Sequence, residues 1–267
     1  MTTMGTRTVR NLVAVCALLS ATLGLQSAHA QAPDLEQRKA EIAQKKAAYG
    51  PNNPAVALGI ISLATLYSRQ GRYDEAEPLY RENLAIWEKL LGPTHLVVAT
   101  SLNYLAWAYY QQGRYAEAEP LYKRSLAIRV ENLGQDHSGV GASQQFLATV
   151  YDAQGRYADA LPLYQTSLAI AEKNLGPEHP TVAVDLNNLA WLHYNQGRYA
   201  SAEPLLRRSL EIREKALGPN DPGVAASLKN LALVYYVEGR IDDAEPLYRR
   251  SMEIGERSDR QSYAATR

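Results

Sequence analysis

Three histidines stand 42 residues apart, at His95, His137 and His179. Regularly spaced imidazoles raise metal binding first, because neutral imidazole is a common zinc ligand. The period argues against it. If each histidine belongs to one copy of a stacked unit, neighbouring copies lie at least a helix-packing distance apart, ~8–10 Å. A zinc ion needs its nitrogens at ~2 Å. The histidines read better as loop residues at the entry to a helix. His193 lies off this register, where other copies carry tyrosine, and reads as a core histidine rather than a base. Carboxylates are numerous but fall in solvated pairs such as Glu75 and Glu77. Arg72, Arg114, Arg156, Arg198 and Arg240 form a recurrent basic row. Acids beside them argue against nucleic-acid binding. The chain has no phosphate-cradling glycine loop, no nucleophile elbow and no paired metal-binding histidines. It is expected not to be an enzyme, and to need no metal or cofactor.

Recognition chemistry is what remains. Asn103, Trp107 and Tyr110 recur as Asn187, Trp191 and Tyr194, with Gln145, Thr149 and Asp152 between them and Lys229, Leu233 and Tyr236 beyond. Spacings of four and three keep each set on one helix face. A side-chain amide offers a donor and an acceptor together, matching the backbone of an extended peptide. Tryptophan and tyrosine are enriched among interface anchors. These residues are the candidate partner-binding set. Two bland readings stand beside it. The indoles could pack between neighbouring helices, and the asparagines could hydrogen-bond across adjacent repeats as a ladder.

The elements that carry these residues come from an internal repeat. Gly113-Arg114-Tyr115-Ala116-Glu117-Ala118-Glu119-Pro120-Leu121-Tyr122 has relatives starting at Gly71, Gly155, Gly197 and Gly239, each 42 residues after the last. A strict period of this length signals helix pairs that must stack to bury their apolar faces. Each first helix starts after Asn, His or Asp, most plainly at Asn53-Pro54, His179-Pro180 and Asp221-Pro222. Leu102, Leu105, Ala106 and Tyr109 mark its core stripe. The repeated glycine ends it. The second helix carries a small residue at Ala76, Ala118, Ala160, Ala202 and Ala244, so that the two helices approach closely. Leu-Gly-Pro closes three of the second helices. Proline recurs inside all five, at 78, 120, 162, 204 and 246, where a lost hydrogen bond should loosen or bend the first turns.

Leu102, Leu105, Ala106, Tyr109, Ala118, Tyr122 and Ser125 fall at the signature spacings of the tetratricopeptide repeat. Its usual repeat is 34 residues. The longer form here, with Ala225 to Ala232 and Glu117 to Tyr122, resembles the kinesin-light-chain type. The resemblance spans roughly residues 34 to 257. It implies an all-α fold, a right-handed α-solenoid of five helix-turn-helix repeats, with first helices lining a concave face that binds protein or peptide.

The segments follow. Residues 1–30 read as a secretory signal peptide, with Arg7 and Arg10, an apolar run from Asn11 to Leu25, and the small-x-small site Ala28-His29-Ala30. Cleavage there leaves Gln31 first and no membrane span, and places the protein in the periplasm or outside the cell. Residues 31–53 form an N-terminal capping helix, followed by repeats at 54–95, 96–137, 138–179, 180–221 and 222–257, and a disordered tail at 258–267. The one cysteine, Cys16, leaves with the leader, so no disulfide or thiolate site is expected. Lys+Arg 28 balances Asp+Glu 28, and loss of Arg7 and Arg10 gives 26 − 28 = −2. That balance offers no global attraction to nucleic acid or membrane. The expected function is a non-enzymatic adaptor that binds a peptide or protein partner. The alternative is an envelope assembly subunit that docks or self-associates through the C-terminal repeat, where Leu-Gly-Pro is lost and Met252 should stay exposed.

Overall fold

A computed structural model describes residues 32–265, and among these every regular element is an α-helix. The signal-peptide reading lies outside the described residues. The helices are α1 (Ala32–Tyr49), α2 (Pro54–Arg69), α3 (Tyr73–Leu91), α4 (Leu96–Gln111), α5 (Tyr115–Leu133), α6 (Ser138–Ala153), α7 (Tyr157–Leu175), α8 (Pro180–Asn195), α9 (Tyr199–Leu217), α10 (Pro222–Val237) and α11 (Ile241–Ala265). They form two compact units. The first ends at Gln154 and contains α1 to α6, and the second begins at Gly155 and contains α7 to α11. Within each unit, consecutive helices pack against one another as antiparallel hairpins.

The helix boundaries are set locally. The side chains of Asn53, His95, His137, His179 and Asp221 each accept from the amide two residues on, at 2.7 to 3.2 Å. The three regularly spaced histidines are thus N-caps, each using Nδ1 as the acceptor. That task fixes the proton of the neutral ring on Nε2. At the other end of α4, Gly113 has φ +73°, and Arg114 N–H reaches back to the Tyr109 carbonyl at 2.9 Å. Gly113 N–H bonds the Tyr110 carbonyl at 2.9 Å. This paired closure satisfies the last carbonyls and needs a left-handed residue, which explains the glycine.

The second helices run unbroken through Pro78, Pro120, Pro162, Pro204 and Pro246. Each proline is the sixth residue of its helix, so the carbonyl it leaves unbonded lies in the first turn, where water can reach it. α11 departs from expectation. It continues to Ala265, through the segment read as a disordered tail. Gly255 alone does not stop it, because no left-handed turn or proline follows.

The core stripe lies where the periodicity predicts. Leu102, Leu105, Ala106 and Tyr109 are all buried. At the hairpin crossings within each unit Ala76, Ala118 and Ala202 are fully buried and Ala244 nearly so, and Ala160 is fully buried as well. Polar struts reinforce the crossings. Ser125 donates to the Ala99 carbonyl at 2.9 Å, Ser209 to Ala183 at 2.7 Å and Ser251 to Ala225 at 2.8 Å, while Asn83 does the same to Ala57 at 2.8 Å. Asn83 also accepts from buried Ser101 of the next repeat at 2.8 Å. At the matching place in the second unit, Ser167 faces buried Asp185 at 3.3 Å.

A second recurring device joins successive repeats. In the first unit, Glu77 of α3 receives the Tyr109 phenol at 2.9 Å and the Arg114 guanidinium at 2.5 Å. The Arg114 guanidinium also lies over the Tyr109 ring, 4.2 Å from its centroid. Glu203, Tyr235 and Arg240 repeat the arrangement in the second unit. The third pair of repeats breaks it, because Leu161, Gln165 and His193 occupy the places of Glu77, Arg81 and Tyr109.

Candidate protein-binding face

The first helix of each repeat turns its core stripe inward and leaves the opposite side for other work. In the first unit that side of α4 carries Asn103 and Trp107, both half-buried. Trp107 packs edge-on against Tyr73 of the preceding repeat, with ring centroids 5.8 Å apart. Tyr110 is buried and lies 5.4 Å from the Tyr115 ring. Burial pushes the Tyr110 phenol well above its ordinary range, with smaller contributions from Tyr115 and Asp152. It therefore stays neutral, available only as a hydrogen-bonding group. On α6, Gln145 and Thr149 are buried, Thr149 donates to the Gln145 carbonyl at 2.9 Å, and Asp152 is half-buried.

The second unit repeats the aromatic cluster. Trp191 and Tyr194 of α8 meet edge to face at 4.9 Å, and Tyr194 lies 5.2 Å from Tyr199 at the start of α9. Both Trp191 and Tyr194 are half-buried. The Trp191 Nε1–H has no hydrogen-bond partner among the described residues. On α10 the face is open: Lys229 is exposed, Leu233 half-buried and Tyr236 60% exposed.

Not all of the predicted set is offered to solvent. Asn187 is 2% exposed, and its Oδ1 accepts from Asn230 Nδ2 of the next repeat at 2.8 Å. The ladder reading therefore describes Asn187 better than a peptide contact does, because a buried amide needs internal partners. The same burial makes Gln145, Thr149 and Tyr110 supports of the face rather than its surface. Asn103 marks a gap in the ladder. The donor place held by Asn230 in the second unit is held here by Phe146, which cannot donate. Asn103 Oδ1 accordingly has no partner among the described residues.

The sequence reading missed Tyr73, Tyr115 and Tyr199, which complete both aromatic clusters. The signal was present in the repeated Gly-Arg-Tyr, since a tyrosine opening a second helix lies beside the end of the first. It also missed Asn230, which stands one residue off the predicted stripe.

His193 is half-buried and its Nδ1 has no partner among the described residues. Burial, then the nearby Arg198 charge, pulls its pKa down. Among the described residues there is no group of three His, Cys, Asp or Glu side chains arranged to hold a metal ion. No described helix is long and apolar enough to cross a membrane.

The family profile described as tetratricopeptide repeat matches residues 55–131, 108–173, 139–215 and 192–257. A search of curated proteins gave no match. Among solved structures, the chain is similar to a putative kinesin light chain of Podosopora anserina with nearly identical TPR-like repeats. Identity is 30%, coverage is 78% of this chain and 99% of that one, and the TM-score is 0.65. BtubC (BKLC) of P. vanneervenii shares the fold at 23% identity, with 92% of each chain covered and a TM-score of 0.66. A Rap protein complexed with competence and sporulation factor shares it at 16% identity, covering 87% of this chain and 66% of that one, with a TM-score of 0.66. The four overlapping profile matches and the 42-residue hairpins lead to one conclusion: the chain belongs to the tetratricopeptide-repeat family, with repeats similar to those of a kinesin light chain.

Proposed function

We propose that this chain is an exported, non-enzymatic scaffold that holds an extended peptide or protein partner against the face its first helices present opposite their core stripe, the face that the repeat family makes concave. The observation that carries the reading is the recurrence of a half-buried indole beside tyrosines, at Trp107 with Tyr73 and at Trp191 with Tyr194 and Tyr199. A ring that is half-buried and braced by other rings is already ordered, so little entropy is lost when a partner covers it. Such rings are the usual anchors of interfaces. Lys229, Leu233 and Tyr236 add an open apolar strip with one positive charge, suited to an apolar side chain followed by an acidic one. Proteins of the tetratricopeptide family bind protein partners, and the similar Rap protein was solved with a bound factor. Export rests on the three-part leader at residues 1–30.

Selection of random displayed peptides on the purified protein tests the face. The expected result is a set of peptides whose affinity falls at least tenfold in Trp107→Ala/Trp191→Ala, with the far-ultraviolet circular dichroism unchanged. Peptides that bind the double variant equally well would reject it. Export is tested separately by sequencing the N-terminus of the secreted or periplasmic protein, expected to begin at Gln31.

A further inference from the structure

The last helix, α11, presents a stripe that none of the described residues covers. Ile241, Glu245, Arg249, Met252, Glu256 and Arg260 succeed one another at steps of three and four, which keeps them on one side of a helix. All six are exposed, Met252 at 65%. The opposite side of the helix is committed, with Ala244 and Ile254 buried in the core of the second unit and Leu247 and Tyr248 packed against it. In the preceding repeat the position of Met252 is held by Leu210, which is only 9% exposed. This is therefore a stacking position that has kept its apolar residue without its cover.

The charges around Met252 have a specific order. About a point between Met252 and Glu253, Arg249 and Glu256 are equidistant, and so are Glu245 and Arg260. Each pair has opposite sign. Reversing the helix turns the stripe into its own electrostatic complement, which is the requirement of an isologous two-fold contact. Among the described residues, the charges are paired within the helix, Glu245–Arg249 at 2.5 Å and Glu256–Arg260 at 3.6 Å.

We propose that α11 pairs antiparallel with α11 of a second copy, the two Met252 side chains meeting beside the axis, Arg249 against Glu256 one turn out, and Glu245 against Arg260 two turns out. The intrahelical pairs become a four-member charge row on each side of an apolar centre. Ile241 lies at the ends of the contact and extends its apolar part. Glu253, on the flank of the stripe, stays in water. The contact is a single helix pair, so the dimer is weak and in exchange with monomer. This inference stands apart from the peptide-binding face, which lies on the first helices.

Sedimentation equilibrium of the full chain over a concentration series tests it. The wild type should show a monomer–dimer equilibrium. Arg249→Glu places like charges opposite each other at both symmetry-related positions, and so does Glu256→Arg, so either variant should raise the dimer Kd at least tenfold. An equimolar mixture of the two variants makes every such pair opposite again and should recover dimer, now as the heterodimer. Damage to α11 cannot produce that recovery. A wild type that stays monomeric at all concentrations overturns the proposal. So does a single variant that dimerises like wild type, or a mixture no better than its components.

Discussion

The Tyr109 phenol donates to the Glu77 carboxylate of the preceding repeat over 2.9 Å, and the Arg114 guanidinium closes on the same carboxylate from the turn. One acid thus ties two hairpins together. Burial alone pushes the Glu77 carboxyl up, but the bonds from Arg114, Tyr109 and Arg81 outweigh it and hold the group below its ordinary value. Glu245 holds the equivalent place in the last repeat and, among the described residues, pairs with Arg249 alone, at 63% and 69% exposure.

Glu77→Gln should therefore lower stability by about 1–2 kcal/mol, since a charge-assisted, part-buried bond is lost. Glu245→Gln should change it by less than about 0.5 kcal/mol. Urea midpoints at neutral pH separate the two. The sign of the acid dependence follows. The folded pKa of Glu77 is depressed, so its contribution is present above the unfolded carboxylate value and lost as pH falls through the folded one. Glu77→Gln should flatten that part of the acid unfolding curve.

Asp185 makes the opposite prediction. It is 1% exposed, faces Ser167 at 3.3 Å, and burial pushes its carboxyl up to about 7, with Glu172 adding to the shift and the Ser167 bond opposing it. The raised folded value means that its favourable, protonated state is fully held below the unfolded pKa and lost as pH rises through about 7. Asp185→Asn should remove that loss and stabilise the protein above pH ~8 by about 2–4 kcal/mol. Thermal unfolding of both proteins from pH ~5 to ~9 is the measurement. A parallel pair of curves would contradict it.

The histidine caps predict a small, local effect. His137→Ala removes the acceptor for Gly139 N–H and should cost about 1 kcal/mol. His137→Asp restores an acceptor of the type that Asp221 already supplies, and should match or exceed the wild type in a urea titration.

A charge reversal at the start of the array predicts register control. Lys46 of α1 pairs with Glu82 of α3 at 2.6 Å. At the equivalent places further along, the acid comes first: Glu88 with Arg124, Glu172 with Arg208 and Glu214 with Arg250, at 2.6 to 2.7 Å. Lys46→Glu and Glu82→Lys should each destabilise by up to about 1 kcal/mol, and the double variant should recover most of it. A double-mutant cycle of urea midpoints reads the coupling directly.

Much of this architecture was legible from spacing. The 42-residue period, the proline-led helix starts and the glycine turns are backbone chemistry, and they need no knowledge of distant neighbours. Leu102, Leu105, Ala106 and Tyr109 were readable because one helix face must be apolar. The candidate face was legible only in part. Asn187 was placed on the right helix, but its burial depends on Asn230, and a single-helix pattern does not say which asparagine finds a partner. The shared brace was harder still. Glu77, Tyr109 and Arg114 are 32 and 37 residues apart in sequence, and their meeting is a property of stacking. The segment read as a disordered tail from 258 onward is helical to Ala265, because with Leu-Gly-Pro lost no stop signal interrupts α11.

The Leu161, Gln165 and His193 substitutions have a mechanical consequence. The steps at Glu77 and Tyr109 and at Glu203 and Tyr235 each have a polar latch, whereas the step between α7 and α8 has an aliphatic residue in the place of the acid and a half-buried imidazole with one unsatisfied nitrogen in the place of the phenol. Under a steady pull, the second unit should part between α7 and α8 before it parts between α9 and α10. A tear at that line would leave the latched pair of hairpins, α8 with α9 and α10 with α11, as one piece.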